Sequence, residues 1–348
     1  MLDSTVGKQL YAKLQQHCTD VQVLQSKRVA WYPRRLSDLD SVASQILDAG
    51  VELQADHPGF HDKKYRARRQ ELADISMSYR QGQPIPYINY TTNEKQTWSI
   101  IYNKLTPLLN KHACKEYLTL YPLLQQNCGY SADNIPQLQD ISDFLRDTTG
   151  FQCRPVSGLL SARNFLYGLA HRTFFSTQYL RHHDKPLYTP EPDLIHELMG
   201  HAPMFADRNF ADFSQEIGLA SIGATDEQVL KLARCYWFSV EFGLCRQNNE
   251  RKAYGAGLLS SFGEIEHAMS STPDIRPWDP HAASVQDYPI TTYQPVYYIA
   301  ESFEDAKIKQ QQYTQTLMRP FNVMYDFRTQ TIETDSNLAF DEDKQSKQ

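Results

Sequence analysis

The sequence predicts a mainly α-helical fold with a few short strands and a C-terminal β-hairpin. Three observations carry that reading. Apolar residues recur at helical spacing in several separate segments, those segments bring their own start and stop signals, and runs with strand character are short. In chain order, Leu39, Val42, Ile46 and Leu47 fall on one helical face and Gly50 follows as a stop. Thr91 with Glu94 reads as a capping box that opens another helix. Pro136 sits where a first helical turn accepts proline, and Leu138, Ile141, Phe144 and Leu145 form a stripe ahead of Gly150. Thr225 with Gln228 opens a helix that runs on through Cys245. Strand character is confined to residues 295–299, 321–325 and 329–334, all expected at the periphery, with 326–328 as the turn of the hairpin.

The 348 residues carry 35 basic against 41 acidic side chains, and no run of Lys or Arg suggests a nucleic-acid groove or an anionic membrane surface. No apolar stretch has the length to cross a bilayer, and the N-terminus lacks the apolar core of a secretion signal, so a cytosolic (cytoplasmic) protein is expected. Six scattered cysteines without a CxxC pair read as reduced thiols. There is no internal repeat and no Gly-rich phosphate loop. Residues 1–30 read as a loose helical flank and 334–348 as a polar, disordered tail.

The sharpest local signal is His196-Glu197-Leu198-Met199-Gly200-His201. A zinc-protease motif needs histidines four apart on one helical face. Five residues on a regular helix put them about 140° apart, so Gly200 is expected to bend or end the helix and let His201 swing back toward His196. Two histidines near a helix end are as often ordinary polar residues as ligands. Glu241 supplies the third candidate, because it lies in residues 232–245, a segment with almost no polar face. A carboxylate buried there without a partner costs several kcal/mol or takes up a proton, and a cation removes that penalty. Its alternative is a buried salt bridge, for instance to Arg234. Two histidines and one carboxylate with open positions are the ligand set of non-haem Fe(II) oxygenases. A zinc hydrolase with Glu197 as general base is the rival from another reaction class, disfavoured by the histidine spacing, and a binding protein that has lost turnover ranks last.

The stretches YTPEPDLIHELMGHAPMFADRNFADFSQEIGLASIGA, CYWFSVEFGLC and KAYGAGLLSSFGE resemble the catalytic domain of the aromatic amino acid hydroxylases. The resemblance extends through ADHPGF, YRARRQELADI, GQPIP, HACKEY and DNIPQLQDISDFL upstream and YQPVYYIAESFEDAK and RPFNVMYD downstream, over residues 31–333. It implies a basket of helices that binds Fe(II) through His196, His201 and Glu241 and couples oxidation of a tetrahydropterin, such as tetrahydrobiopterin, to splitting of O2, hydroxylating the ring of a free aromatic amino acid. Carried over by position, Arg181 would grip the substrate carboxylate, with Thr189, Pro190, Trp237, Gly257, Ser260 and Ser261 completing the pocket. The pterin would lie against Gly158, Leu159, Leu160, Phe165, Leu166, Ala233 and Tyr236, with Phe165 stacked on it and Glu197 reaching it through water.

Three residues depart from the pattern of the animal phenylalanine enzymes: Ala162 and Phe175 stand near the pterin where Ser and His are usual, and Ala49 replaces a Tyr of a mobile loop. Trp237, Leu159 and Ile290 resemble the phenylalanine-hydroxylating type, with tryptophan hydroxylation, alone or as a second activity, as the alternative. The resemblance leaves no room for the family's N-terminal regulatory domain or its tetramerising heptad helix, which implies a monomer or a homodimer through the hairpin.

Overall fold

In the computed structural model the described residues are 27–48, 57–187, 191–290 and 292–335, together with 9, 12–14, 16–17, 53, 55, 189 and 338–340. Strand β1 (Lys27–Val29) precedes helix α1 (Leu39–Ala43) and strand β2 (Ile46–Asp48). The helix predicted through Leu47 is therefore cut short. Ile46 leaves it to pair with Leu160, and the alternation of a strand turns Leu47 outward, where it is 68% exposed. Gly50 and Ala49 lie outside the described residues.

Helices α2 (Lys63–Ser78), α3 (Thr92–His112), α4 (Lys115–Cys128) and α5 (Leu138–Thr149) follow, α4 packing on α5. The Thr91–Glu94 capping box that opens α3 forms in both directions, satisfying two N-terminal amides. This helix buries Trp98, Ile101, Tyr102, Leu105 and Leu109, and each fully buried side chain of this size contributes roughly 1.5–3 kcal/mol. Helix α5 starts two residues later than its proline implied, with Gln137 as N-cap, and ends on Gly150 in the left-handed region at φ 79°.

A parallel pair, β3 (Gln152–Pro155) with β5 (Thr173–Ser176), is joined across β4 (Leu159–Leu160) and helix α6 (Ala162–Ala170). All four residues of β3 and of β5 are buried, so they lack the alternation that would have marked them as strands. Helices α7 (Ala202–Phe205), α8 (Arg208–Ser221) and α9 (Asp226–Tyr236) follow, α8 packing across α6.

Beyond α9 the helix predicted through Cys245 ends at Glu241, because Leu244 and Cys245 belong to strand β6 (Leu244–Gln247), hairpinned to β7 (Glu250–Ala253). Short helices α10 (Ala256–Leu259), α11 (Phe262–Met269) and α12 (Pro280–Ala283) flank strand β8 (Asp274–Pro277). Strand β9 (Val296–Ala300) completes a four-stranded sheet in the order β7-β6-β9-β8. All five of its residues are buried, so this strand is central and not peripheral.

After α13 (Phe303–Thr316) the predicted terminal hairpin is present as β10 (Val323–Asp326) and β11 (Thr331–Thr334), register Tyr325 opposite Ile332. Against the expectation of a disordered tail, β12 (Leu338–Phe340) pairs in parallel with β1, so part of the expected flank and part of the expected tail close on one another. The fold is mainly α with short strands, as predicted. No helix among the described residues is long and apolar enough to cross a membrane.

Candidate active site

Both segments that carry the candidate ligands wind as π-helix. His196–His201 is one such turn, and the amide of Ala202 bonds back to the carbonyl of Glu197, five residues earlier. Trp237–Glu241 is the other, closed by the Phe242 amide on the Trp237 carbonyl at 2.9 Å. The wider turn brings residues five apart closer to one face. This resolves the spacing problem differently from the bend expected at Gly200, since the helix neither kinks nor ends there. Gly200 serves another need: a Cβ would stand 2.7 Å from the Ala256 carbonyl oxygen, so only glycine lets this turn lie against α10.

The three candidate donors converge. His201 Nε2 stands 3.0 Å from His196 Nε2 and 3.0 Å from Glu241 Oε1, and His196 Nε2 stands 3.4 Å from Glu241 Oε2. Donors held at right angles about 2.1 Å from one cation are about 3.0 Å apart, and tetrahedral donors about 3.4 Å. Two of the three separations match the right-angled spacing of donors on one face of an octahedron, and the third matches the tetrahedral spacing. The donor set suits Fe(II), being two imidazoles and one carboxylate.

Surrounding groups fix these donors. His196 Nδ1 meets Ser260 Oγ at 3.0 Å while that hydroxyl donates to the Ala256 carbonyl, so the ring's N–H is spent on Ser260 and Nε2 faces the cluster. The His201 ring packs against Phe174 and Phe205 with centroids 4.7 and 5.9 Å away. The Tyr236 hydroxyl donates to Glu241 Oε1 at 2.9 Å. Burial works against the Glu241 carboxylate, yet the two imidazoles beside it hold its pKa well below the usual range. Arg234 is not its partner, because that guanidinium reaches Asp287 at 2.8 Å.

Glu197 turns away from the three donors. The amide and hydroxyl of Thr177, the first residue after β5, both donate to its Oε1 at 3.1 and 3.0 Å. Burial raises its pKa to about 7, against the opposing pull of His196 and the Thr177 bonds.

Arg181 is buried rather than a surface residue. Its Nε and Nη2 each reach Asp193 at 2.8 Å and its amide does so at 2.9 Å. Asp193 also accepts from the His196 amide at 3.3 Å, so one carboxylate ties the arginine to the start of the metal turn. Burial raises the Asp193 pKa, but the Arg181 guanidinium outweighs it and the net shift is downward.

Trp237 is half-buried, lies flat on Tyr288 with centroids 4.2 Å apart, and donates its indole N–H to Gln294 at 3.0 Å. At Gly257 a Cβ would stand 2.6 Å from the Phe242 ring, which is why this position has no side chain. Thr189 caps its own loop through the Glu191 carbonyl at 2.8 Å, and Ser261 caps α11. Pro190 lies outside the described residues.

On the other side Gly158, Leu159 and Leu160 form and flank β4, with Leu159 exposed. Phe165 meets Tyr236 edge to face at 5.1 Å, which links this strand region to the Glu241 carboxylate. Ala233 is half-buried one turn before Tyr236. Leu166 is 1% exposed and belongs to the core, with its carbonyl packed against Gly218 of α8, so against expectation it stands behind the pterin-side surface and not on it. Ala162 opens α6, and Phe175 is buried with Tyr167 and Ile222 in a second apolar cluster.

Sequence reasoning missed Asp193, Thr177 and Gln294 and the orienting contact of Ser260. Asp193 carried a signal, an acid placed directly before the apolar pair Leu194-Ile195. Thr177 and Gln294 carried none, since their partners are 20 and 57 residues away in sequence.

Comparison with known proteins gives the same answer as the donor geometry. The sequence profile described as "Biopterin-dependent aromatic amino acid hydroxylase" matches residues 30–343. Human phenylalanine-4-hydroxylase is 56% identical over 309 residues, 89% of this chain and 68% of that protein. "Protein henna" of Drosophila melanogaster is 56% identical over 305 residues, 88% and 68% respectively. Among solved structures, Chromobacterium violaceum phenylalanine hydroxylase with bound iron(III) and 7,8-dihydrobiopterin superposes with a TM-score of 0.63 at 29% identity, covering 71% of this chain and 90% of that one. A profile match over nine-tenths of the chain, on a helical fold with two histidines and a glutamate converging, makes this chain a member of the biopterin-dependent aromatic amino acid hydroxylase family.

Proposed function

We propose that the protein is a non-haem Fe(II), tetrahydropterin-dependent monooxygenase that converts phenylalanine to tyrosine in the cytosol. The observation that carries this reading is the convergence of the donor atoms of His196, His201 and Glu241 within 3.0–3.4 Å of one another, three ligands that would hold a cation and leave its further coordination positions to the reactants. When bound, iron supplies the open coordination positions at which O2 is split with electrons from the tetrahydropterin.

The protein's own residues hold and orient the reactants. Arg181 has its Nε and Nη2 committed to Asp193, which points the guanidinium in one direction and leaves Nη1 for the carboxylate of an amino acid. Trp237, stacked on Tyr288, offers a flat wall for an aromatic ring, with Thr189, Pro190, Gly257, Ser260 and Ser261 completing the pocket. Gly158, Leu159, Leu160, Phe165, Ala233 and Tyr236 form the pterin side, with Leu166 packed behind them in the core and Phe165 offering a flat stacking partner. Glu197, its Oε1 held by Thr177, presents Oε2 toward the pterin through water. Phenylalanine is the substrate favoured by the names of the relatives. The protein is a monomer or a homodimer through the β10–β11 hairpin, where the exposed apolar residues Met324 and Phe327 support the dimer, and sedimentation distinguishes the two.

The test is anaerobic reconstitution with Fe(II) and turnover with a tetrahydropterin and O2 on phenylalanine, tyrosine and tryptophan in parallel. Rapid formation of tyrosine from phenylalanine, abolished by His196→Ala, is the expected result. Preferential turnover of tryptophan overturns the substrate assignment, and no hydroxylation with iron bound overturns the reaction.

A further inference from the structure

The chain between α12 and β9 is tied down by one buried side chain. Gln294 is 1% exposed and every polar group it has is used. Its Oε1 accepts the indole N–H of Trp237 at 3.0 Å, and its Nε2 donates to the Pro289 carbonyl at 2.8 Å, closing the loop on itself. Its amide donates to Glu264 Oε1 at 3.0 Å, and its carbonyl meets His267 Nε2 at 3.1 Å. Glu264 is buried on α11 and also accepts the Tyr297 hydroxyl of β9. One residue thus joins helix α11, the loop and Trp237 on its π turn, while Tyr288 of the same loop lies flat against the Trp237 ring.

Burying an amide and a carboxylate is tolerated only when each has its partners, and a hydrocarbon side chain would fill the same space without that demand. What hydrocarbon cannot do is fix the rotation of an indole. Packing alone leaves a flat ring free to slide or flip, whereas a hydrogen bond to its one polar atom selects one orientation. We propose that Gln294 is a positioning residue for ring specificity: by clasping the loop and holding the Trp237 N–H, it sets where the aromatic wall stands relative to the substrate's ring. This rests on the reading of Trp237 as that wall.

The test is kcat/KM for phenylalanine and for tryptophan in a cycle of Gln294→Met, Trp237→Phe and the double variant of the iron-loaded enzyme. Methionine keeps the length and removes both the acceptor for the Trp237 N–H and the donor to the Pro289 carbonyl. Gln294→Met is expected to lower the preference for phenylalanine about tenfold, within the range one pocket contact commands. In the Trp237→Phe background, where no indole N–H exists and only the Pro289 bond remains to be lost, the same change is expected to shift the preference by well under tenfold. An equal loss on both substrates, or additive effects in the cycle, overturns the proposal.

Should Gln294→Met fail to fold, the wild-type protein labelled with 15N at its four tryptophan indoles answers instead. The Trp237 signal, assigned by its loss in Trp237→Phe, is expected to exchange slowly with solvent, and rapid exchange overturns the clasp. If the wild-type enzyme hydroxylates none of the aromatic amino acids, it is the functional reading that falls, and the exchange measurement still decides whether the clasp exists.

Discussion

Replacing Asp193 by Asn tests how the substrate arm and the metal turn are joined. The carboxylate is completely buried and accepts four bonds, three from Arg181 at 2.8, 2.8 and 2.9 Å and one from the His196 amide at 3.3 Å. Asparagine has the same shape but only one acceptor oxygen, so its NH2 must face either the Nε and amide of Arg181 or the Nη2 and the His196 amide. Either way donors meet donors, and the guanidinium, 8% exposed, loses its counter-charge. Removing one partner of a buried pair costs about 3–5 kcal/mol. Because one oxygen survives, we take the low end, about 3 kcal/mol, which for a chain of this length lowers the melting temperature by about 4 °C. The freed guanidinium also loses its fixed direction, so KM for phenylalanine is expected to rise about tenfold or more while KM for the pterin stays within a factor of two, a split expected because Asp193 contacts only the arginine and the metal turn. Thermal unfolding and steady-state kinetics on the iron-loaded protein measure both. A melting temperature within 1 °C of wild type together with an unchanged phenylalanine KM would refute the account of this pair.

Three further outcomes are expected. Ser260→Ala removes the acceptor that orients His196, and metal affinity, read by competition with a chelator, should fall roughly 10- to 100-fold with little change in melting temperature; unchanged affinity would show that the imidazole is oriented by packing alone. Gly200→Ala places a Cβ 2.7 Å from the Ala256 carbonyl oxygen and 3.0 Å from its Cβ, so the π turn or α10 must move, at about 1–3 kcal/mol by chemical denaturation and with loss of bound iron. His171 is buried, and burial lowers its pKa below the ordinary 6.5 despite its bond to the Pro33 carbonyl. The unfolded chain therefore takes up a proton that the folded one refuses, so stability from this group is intact above pH 6.5 and declines as pH falls below it. His171→Gln can keep the donor without titrating, and its melting temperature should drop less than that of wild type between pH 7 and pH 5.5; equal drops would place the acid sensitivity elsewhere.

The sequence alone determined the fold class, because caps and helical stripes are local. The Thr91–Glu94 and Thr225–Gln228 boxes and the glycine stop at Gly150 form as read, each depending on residues within one turn. It also picked out His196, His201 and Glu241 by chemistry, since an acid in an apolar helix requires a partner wherever the helix goes. Local signals failed where a distant partner chose the conformation. Ile46 left its helix for a strand because Leu160 offered an edge, and Leu244 and Cys245 did so because β9 did. Strands β3, β5 and β9 are buried throughout, so period-two alternation could not announce them.

How the histidines share a face depends on packing between distant segments. A regular helix forbids it, a bend at Gly200 was the local solution, and the π turn against Ala256 is the one the packing selects. The hydrogen bonds that orient the site were likewise beyond local reading: Asp193 on Arg181, Thr177 on Glu197, Ser260 on His196 and Gln294 on Trp237 each join residues 12 to 64 positions apart. Ligand chemistry resides in single residues and can be read along the chain, whereas ligand orientation resides in pairs that exist only once the chain has folded.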